Sequence, residues 1–568
     1  MIALLGRDDY SVLGVAAIFD VEKIPHRRIG GIAEAADAPL VVTAGELTPA
    51  DIHALAQRPA VILGGGLAAA HHLCNARTAE VCTRPGAIAL SEPVWAADTV
   101  ALARAHGKAF LDIPLAPVCQ IAGVARGTVL ATLVDGASRN GGGCPAIVQA
   151  GPCLWSSVDV GAAFANLLTE RYLPEHKRHA PSSVRAWSRR AAETLYYAAP
   201  DVVRRWVQSR SYALLERQLS RSPLPVSQYP SDGTGWLLIE LLKTLVRRAA
   251  GTLVRLERWP APYRAAATLT HDIEPRRYAY TTGLGRLLQH EDVRCGTSAL
   301  GLVAAASDRY LTDESVRQLN GHEVLCHGLE HRGEPASGRA QVASTVQTAR
   351  NRLERRLART VRGYRSPRLD RSDDLLWALD RCGFSFDSSY PDVDRENVKH
   401  FGGGVRLNLP YRPLLIDGGS ARPSRCLELP LTAPDCIQPL LAGQEAAELR
   451  ATVAEKARFV RDTGGVYVAL VHAGVFGWRD AQVREDHLRF VAQQLQHPDV
   501  WLAGIGDIAE WWCGREALRV TVDGGAVRVT NHADTVMQGV RLVIERRSNA
   551  TTFLLPALEP GASAPVPL

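Results

Sequence analysis

Between residues 265 and 514 the chain repeats one pattern, in which a short apolar run ends in polar residues and a helical segment follows. Residues 266–270 lead directly into His271-Asp272-Ile273-Glu274, and residues 466–470 lead into Val471-His472. Strands that alternate with helices predict a parallel sheet. Polar residues crowded after such strands are typical of an active site at the carboxyl end of a parallel barrel. The pattern therefore predicts an α/β fold with a site at that end.

A pair of histidines follows another apolar run of this region. His327 and His331 are four residues apart, so on a helical turn their rings face the same way and suit one metal ion. Such a pair alone is as often structural, and a single histidine at a strand end, such as His472, is usually structural. Their shared position after predicted strands favours a common site.

Four further segments contribute candidate residues from loops. Arg365-Ser366-Pro367 and the segment from Asp387 to Tyr390 each follow a predicted strand. Asn408 to Pro413, which contains Tyr411 and Arg412, and Glu428 to Pro430 have the character of pocket rims. Tyr411 and Arg412 are candidates for contacts with sugar hydroxyls or phosphate, and ordinary proline turns are the alternative interpretation.

In their order along the chain, these motifs resemble those of the polysaccharide deacetylase family (NodB homology, carbohydrate esterase family four), over residues 265–514. The resemblance rests on the aspartate turn at 270–275, H-x-x-x-H at 327–331, Arg-x-Pro at 365–367, the aspartate motif at 387–390, and Leu-x-His at 470–472. It implies a distorted (β/α)7 barrel, a carbohydrate substrate and a divalent metal, usually Zn2+.

The first motif departs from the family pattern, because Ile273 replaces the second of two adjacent aspartates. Some branches of the family have Asp-x-Asp instead, which matches Asp272 and Glu274. The resemblance then implies Asp272 as the catalytic base and Glu274 as a metal ligand with His327 and His331. The swapped assignment stays open, and His271 is a further candidate ligand.

The resemblance also implies roles for the remaining motif residues. Arg365 would orient the base, the backbone N–H of Arg368 would bind the oxyanion, and His472 would act as general acid. Asp387 would fix His472 or line the pocket with Tyr390, and a structural role at a strand end is its alternative.

Residues 1–165 read as a smaller parallel-sheet α/β domain that loosely resembles flavodoxin-like and glutamine-amidotransferase domains. In the amidotransferase pattern a nucleophilic cysteine lies in a glycine-flanked turn after a strand, where this chain has Gly64-Gly65-Gly66. Nucleophilic catalysis needs such a thiolate next to a base. We therefore expect this domain to be non-catalytic and its glycine cluster to form a tight turn.

Residues 166–264 form a basic segment with 17 Lys and Arg against 8 Asp and Glu, predicted as a helical linker with helices at 183–217 and 236–258. The second helix is amphipathic, which suits peripheral contact with an anionic membrane or packing on a neighbouring domain. Residues 515–568 alternate in hydrophobicity around the turn at 523–525, which predicts a small β appendage.

Composition limits the function further. The chain has 568 residues, 46% of them hydrophobic, and a net charge of +6, which excludes a mainly disordered chain and argues against nucleic acid as a partner. Its 11 cysteines contain no C-x-x-C, and its start does not read as an export signal, so we expect a cytoplasmic protein, with membrane association as a variant.

The expected function is the metal-dependent removal of an acetyl group from an N-acetylated sugar or polysaccharide intermediate. A deformylase or another carbon–nitrogen hydrolase acting on a lipid-linked sugar is the alternative within hydrolases. A non-catalytic carbohydrate-binding or scaffold protein is the alternative from another class.

Overall fold

The structure of the chain is a computed structural model. It describes residues 1–6, 10–76, 79–90, 94–135, 143–170, 195, 199–219, 232–290, 298–331, 338–393, 404–417, 420–433, 445–472, 481–523, 525–547 and 549–568. Within these residues no helix is long and apolar enough to cross a membrane.

The first part of the chain forms a mixed sheet with helices packed on it. Its strands are β1 (Ile2–Leu5), β2 (His26–Ile29), β3 (Val41–Glu46), β4 (Ala60–Gly65), β5 (Ala79–Ala89), β6 (Phe110–Ile121), β7 (Thr128–Asp135), β8 (Cys144–Ala150) and β9 (Cys153–Ser156). Its helices are α1 (Tyr10–Glu22), α2 (Pro49–Leu55), α3 (Gly66–Cys74), α4 (Ala97–Ala105) and α5 (Val160–Leu168), with a 3₁₀ turn at Ile32–Ala35.

The strand order is β2-β1-β3-β4-β9-β8-β7-β5-β6. Pairs from β2 to β9 are parallel, whereas those from β9 to β6 are antiparallel. The expectation of a parallel sheet is therefore correct for one half and wrong for the other. Gly64 and Gly66 have φ of 79° and 67°, so the glycine cluster makes the sharp turn from β4 into α3.

The basic segment contributes helices α6 (Asp201–Leu219) and α7 (Thr234–Ala250) and then strand β10 (Thr252–Leu256). Residues 171–194, which hold much of the first predicted helix, lie outside the described residues. The second predicted helix ends early, because Gly251 caps α7 in the left-handed region at φ 78°.

Helix α7 lies inside the protein, because Trp236, Leu238 and Leu242 are each at most 4% exposed and belong to a core shared by the first sheet and the barrel. The prediction of peripheral membrane contact through residues 236–258 is therefore wrong for this helix, whose apolar face already packs on the two sheets. The alternative of packing on a neighbouring domain is confirmed.

The third part of the chain alternates strands and helices. Its strands are β11 (Ala265–Ile273), β12 (Ser298–Leu302), β13 (Glu323–Cys326), β14 (Gly363–Tyr364), β15 (Phe386–Asp387), β16 (Leu414–Asp417), β17 (Ser420–Pro423), β18 (Leu427–Glu428), β19 (Val466–Leu470) and β20 (Val500–Leu502). Its helices are α8 (Leu284–Gln289), α9 (Ala304–Tyr310), α10 (Asp313–Gln318), α11 (Arg339–Leu357), α12 (Asp373–Cys382), α13 (Ala446–Thr463), α14 (Ala481–Leu495) and α15 (Ile505–Glu516). The same part contains a π-helical turn at Ala279–Gly283 and a 3₁₀ turn at Pro367–Leu369.

These strands form a curled parallel sheet in the order β18-β15-β14-β13-β12-β11-β19, with β20 beside the start of β11. Residues after β18 reach β19 through a parallel bridge between Ala433 and Ala469, so the two edges of the sheet meet. The prediction of an α/β fold with parallel strands is confirmed. All carboxyl ends of these strands point to one end of the sheet, where most of the candidate residues lie.

The last part forms strands β21 (Leu518–Asp523), β22 (Ala526–Asn531), β23 (Arg541–Arg546), β24 (Ala550–Leu554) and β25 (Ser563–Pro567). One sheet is β21-β22-β25 and the other is β10-β23-β24. Their apolar faces share one core that includes Leu256, Val529 and Leu542. The β appendage thus takes one strand from the segment that the sequence assigned to a helix.

Candidate active site

Strand β11 directs alternate side chains into the barrel. Side chains two residues apart in a strand share a face, so Thr270 and Asp272 lie together. The Thr270 hydroxyl donates to the carbonyl of Ala469 at 2.7 Å, and Asp272 is 3% exposed. His271 lies on the other face, where its Nδ1 is 2.9 Å from the carbonyl oxygen of Val471. This alternation separates His271 from Asp272.

His327 follows β13 with its ring fixed from behind. Its Nδ1 lies 2.9 Å from the carbonyl oxygen of Arg365, and since a carbonyl only accepts, Nδ1 donates the proton. The Nε2 lone pair then points inward, 3.8 Å from Asp272 Oδ2. That Nε2 is buried and has no hydrogen-bond partner among the described residues. A ring held in this way is typical of a metal-binding histidine.

Glu274 lies between two other histidines. Its Oε1 is 3.8 Å from His331 Nε2 and 3.9 Å from His472 Nε2. The rings of His327 and His331 have centroids 5.0 Å apart. The structure thus brings together residues from the ends of β11, β13 and β19, as the sequence predicted.

The donor chemistry of this cluster fits a divalent metal such as Zn2+, which binds imidazole nitrogen and carboxylate oxygen. The orphaned Nε2 of His327 is the structural sign of an absent partner. The donors stand 3.8–3.9 Å apart, and no three His, Cys, Asp or Glu side chains within the described ranges are grouped as tightly as a preformed site requires. Binding would therefore draw the donors inward.

Arg365 is completely buried beside Asp272. Its Nη2 donates to Thr270 Oγ1 at 3.2 Å and to Ser388 Oγ at 3.0 Å, and its Nη1 is 3.7 Å from Asp272 Oδ2. Burial alone raises the pKa of Asp272, but its interactions with His327 and with the Arg365 guanidinium outweigh burial and lower that pKa below its usual range. Asp272 is therefore ionised and able to accept a proton.

The other titratable groups respond mainly to burial. Burial raises the pKa of Glu274 above its usual value, although His472 opposes the shift. Burial lowers the pKa of His327 and of His331 to about 4. Both imidazoles are therefore neutral near pH 7, which is the form that binds metal.

Arg368 lies in the 3₁₀ turn after β14 with φ of 61°. Its positive charge opposes the burial-driven rise of the Glu274 pKa and adds to the burial-driven fall of the His331 pKa, which places it beside the cluster. Gly328 allows this turn to approach, because a Cβ there would lie 2.7 Å from Cγ of Pro367.

Asp387 forms a buried carboxyl pair with Glu428 on the neighbouring strand. Asp387 Oδ1 accepts a hydrogen bond from Ser389 Oγ at 2.5 Å, and Glu428 Oε1 accepts one from the N–H of Tyr390 at 3.0 Å. Burial raises the pKa of Asp387 to about 6, and burial with the charge of Asp387 raises that of Glu428 well above its usual value. The closeness of the two buried carboxyl groups thus favours the protonated form of Glu428.

The remaining sequence candidates lie apart from the cluster or are buried beneath it. Tyr390 and Tyr411 are 1% and 2% exposed, and the Arg371 guanidinium lies 5.3 Å from the Tyr390 ring centre. Arg412 binds Glu516 at 2.7 Å, at the end of the last barrel helix and on the side where the strands begin. The structure does not bring Arg412 to the carboxyl ends of the strands.

Sequence reasoning missed Gly301 on β12. A Cβ at Gly301 would lie 2.5 Å from Asp272 Oδ1 and 3.5 Å from Cβ of His327. In the sequence, a glycine inside a strand is the only signal that another group packs closely against the backbone, and it does not identify that group. A small cleft of about 30 Å³ opens beside His472, lined also by Arg286 and His290.

Comparison with known proteins supports the resemblance over part of the chain. Residues 262–386 match the model of the polysaccharide deacetylase family. That range includes all motifs from the aspartate turn to Arg-x-Pro, and it ends just before Asp387. No curated protein sequence matches the chain.

Solved structures show low-level similarity. A protein assigned as a polysaccharide deacetylase from Mycobacterium smegmatis is 21% identical with a TM-score of 0.35, covering 47% of this chain and 96% of that chain. One from Pseudomonas aeruginosa PAO1 is 18% identical with a TM-score of 0.35, covering 45% and 93%. Agd3, described as a carbohydrate deacetylase, is 9% identical with a TM-score of 0.36, covering 100% and 99%.

Proposed function

We propose that the chain is a metal-dependent hydrolase that removes the acetyl group from an N-acetylated sugar. The observation that carries this proposal is the position of Asp272, which lies 3.8 Å from the orphaned Nε2 of His327 and 3.7 Å from Arg365. A carboxylate kept ionised beside an open imidazole nitrogen is what hydrolysis by an activated water needs.

Glu274, His327 and His331 would hold the metal. When bound, a divalent metal supplies Lewis-acid polarisation and lowers the pKa of water to about 7. The alternative, with Asp272 as the ligand, is disfavoured by its contact with Arg365, which suits an ionised base.

Asp272 takes the proton from the attacking water. Arg365 keeps Asp272 ionised and in place, because its guanidinium is itself fixed by Thr270 and Ser388. The N–H of Arg368 supports the developing oxyanion. His472, whose Nε2 is 3.9 Å from Glu274, protonates the departing sugar amine.

A screen for acetate and formate release tests this function. The substrates are N-acetyl and N-formyl monosaccharides, oligosaccharides and lipid-linked sugars, each with added Zn2+. We expect acetate release by the wild-type chain and by His53→Ala, which changes an exposed histidine of α2, but not by His327→Ala. Formate release alone would replace the proposal by a deformylase, and release unaffected by His327→Ala would refute the site.

A further inference from the structure

A second cavity opens at the same end of the barrel as the candidate site. It lies between α11, α12 and the hairpin β16–β17, has a volume of about 140 Å³ and is open to solvent. Helices that follow parallel strands begin at the carboxyl ends of those strands. Arg339 and Asp374, at the starts of α11 and α12, are joined at 3.2 Å beside the cavity.

Trp377 gives the cavity an aromatic wall. It is half-buried, with Leu376 and Leu414 beside it, and the Arg339 guanidinium lies 5.9 Å from its ring centre. An indole ring combines a large apolar face with low conformational freedom, which suits the C–H face of a sugar ring.

Polar groups surround that ring and remain accessible. The side chains of Asp417 and Arg422 are 72% and 54% exposed, and Ser420 lies between them on the hairpin. Carboxylate, guanidinium and hydroxyl groups pair with sugar hydroxyls. The charged lining residues, Arg339, Arg422, Asp373 and Asp417, sum to zero, so the cavity favours a neutral ligand over a phosphorylated one.

The cavity is within reach of the candidate active site. Asp373 lines it, and Arg365 lies eight residues earlier in the chain, a separation that spans at most about 29 Å. An oligosaccharide of several units covers such a distance.

We propose that this cavity is a second carbohydrate subsite, in which Trp377 stacks on a sugar unit of the chain that is deacetylated at the first site. The inference rests on the proposed function for the identity of the ligand as an N-acetylated oligosaccharide. It adds that the enzyme holds long substrates at two places.

A glycan array of N-acetylated oligosaccharides and their deacetylated forms tests the subsite, with His327→Ala as the background to prevent turnover. We expect oligosaccharide binding that Trp377→Ala weakens at least about tenfold, equivalent to about 1.4 kcal/mol. Trp377→Phe should retain binding. Trp206→Ala, which removes a 62% exposed tryptophan of α6, is the matched control and should bind as the background does.

Ser420→Trp fills the mouth of the cavity without removing a packed side chain, and it should weaken binding as Trp377→Ala does. With active protein, both variants should raise KM for oligosaccharides, leave kcat unchanged and leave monosaccharide turnover unaffected. No glycan bound by the His327→Ala background, or equal binding by Trp377→Ala, would overturn the subsite. Tryptophan-dependent binding without acetate release would retain the subsite and refute the proposed function.

Discussion

The first sheet and the barrel both place a carboxylate at or just beyond the carboxyl end of a strand, but they use it differently. In the first sheet Asp159 follows β9, and its oxygens accept hydrogen bonds from Ser11 Oγ at 2.7 Å and from the N–H of Ala162 at 2.8 Å. Asp159 therefore caps helix α5 and ties it to α1. Both of its carboxylate oxygens are thus used in hydrogen bonds that stabilise the fold.

In the barrel, Asp272 follows the same rule of position with a different outcome. Its Oδ1 is buried and, like Nε2 of His327, has no hydrogen-bond partner among the described residues. A buried polar atom left without a partner costs about 1–3 kcal/mol. The comparison teaches that unused hydrogen-bonding capacity, rather than position at the end of a strand, distinguishes a site from a cap.

The same substitution in the two regions should separate these roles most strongly. Asp272→Asn should lower kcat about 10²–10⁴-fold, because the general base is lost. Asp159→Asn should leave kcat unchanged, since asparagine caps a helix about as well as aspartate. Steady-state kinetics on an acetylated sugar and thermal unfolding of both variants give the answer. An unchanged kcat in Asp272→Asn would contradict the role of Asp272 as the general base.

Substitution of one glycine in each region tests the comparison between the two regions further. Gly301→Ala places a Cβ 2.5 Å from Asp272 Oδ1, and a displacement of this kind should lower kcat about 10²-fold while the chain stays folded. Gly161→Ala places a Cβ 2.1 Å from the carbonyl oxygen of Ser11, at the contact of α1 with α5. This overpacking should lower the free energy of unfolding by about 1–3 kcal/mol and spare kcat. The reverse pattern in kinetics and melting curves would contradict the division.

We predict the smallest effect on activity for a substitution of Glu22, which lies at the contact between the two regions. Glu22 of α1 is buried and paired with Arg258 at 2.6 Å and Lys243 at 3.7 Å. Burial would raise its pKa, but these cations hold the pKa well below its usual value of 4.5. A depressed folded pKa stabilises the protein above the unfolded value, so this stability is lost as the pH falls below about 4.5.

Glu22→Gln should remove that pH dependence. At pH 7 the variant should lose about 3–5 kcal/mol of stability, because Arg258 stays buried without its carboxylate, whereas Lys243 retains Glu240 at 2.9 Å. Denaturant unfolding at pH 7 and at pH 4 should show a smaller difference for Glu22→Gln than for the wild-type chain. Equal differences would show that Glu22 does not couple the two regions.

Strand periodicity acts locally, so the sequence could place most of the candidate residues at one end of the parallel sheet. Period two places Asp272 and Thr270 on one face. His327 and His331 also lie together, but residues 327–331 form a bend and not the helical turn on which their spacing was interpreted. The sequence pattern could not predict long-range packing. The apolar face of α7 has the same pattern whether it meets a membrane or two sheets, and only the structure shows that Leu238 is completely buried.

Proximity in the sequence also gave wrong predictions where the chain turns away from the candidate site. Arg412 adjoins Tyr411, yet it turns to Glu516 on the opposite side of the barrel, because that carboxylate lies at the end of α15. Glu428 was predicted as a pocket rim, and the structure pairs it with Asp387 inside the sheet. Such partners come from other strands, so no local pattern announces them.

Metal content measured by elemental analysis is the most direct test of the barrel site. The purified wild-type chain and the Asp159→Asn variant should each hold about one divalent ion per chain. The double variant His327→Ala/His331→Ala should hold none while its thermal unfolding shows that it is folded. A double variant that retains the ion, or a metal-free wild-type chain that releases acetate at full rate, would contradict the account.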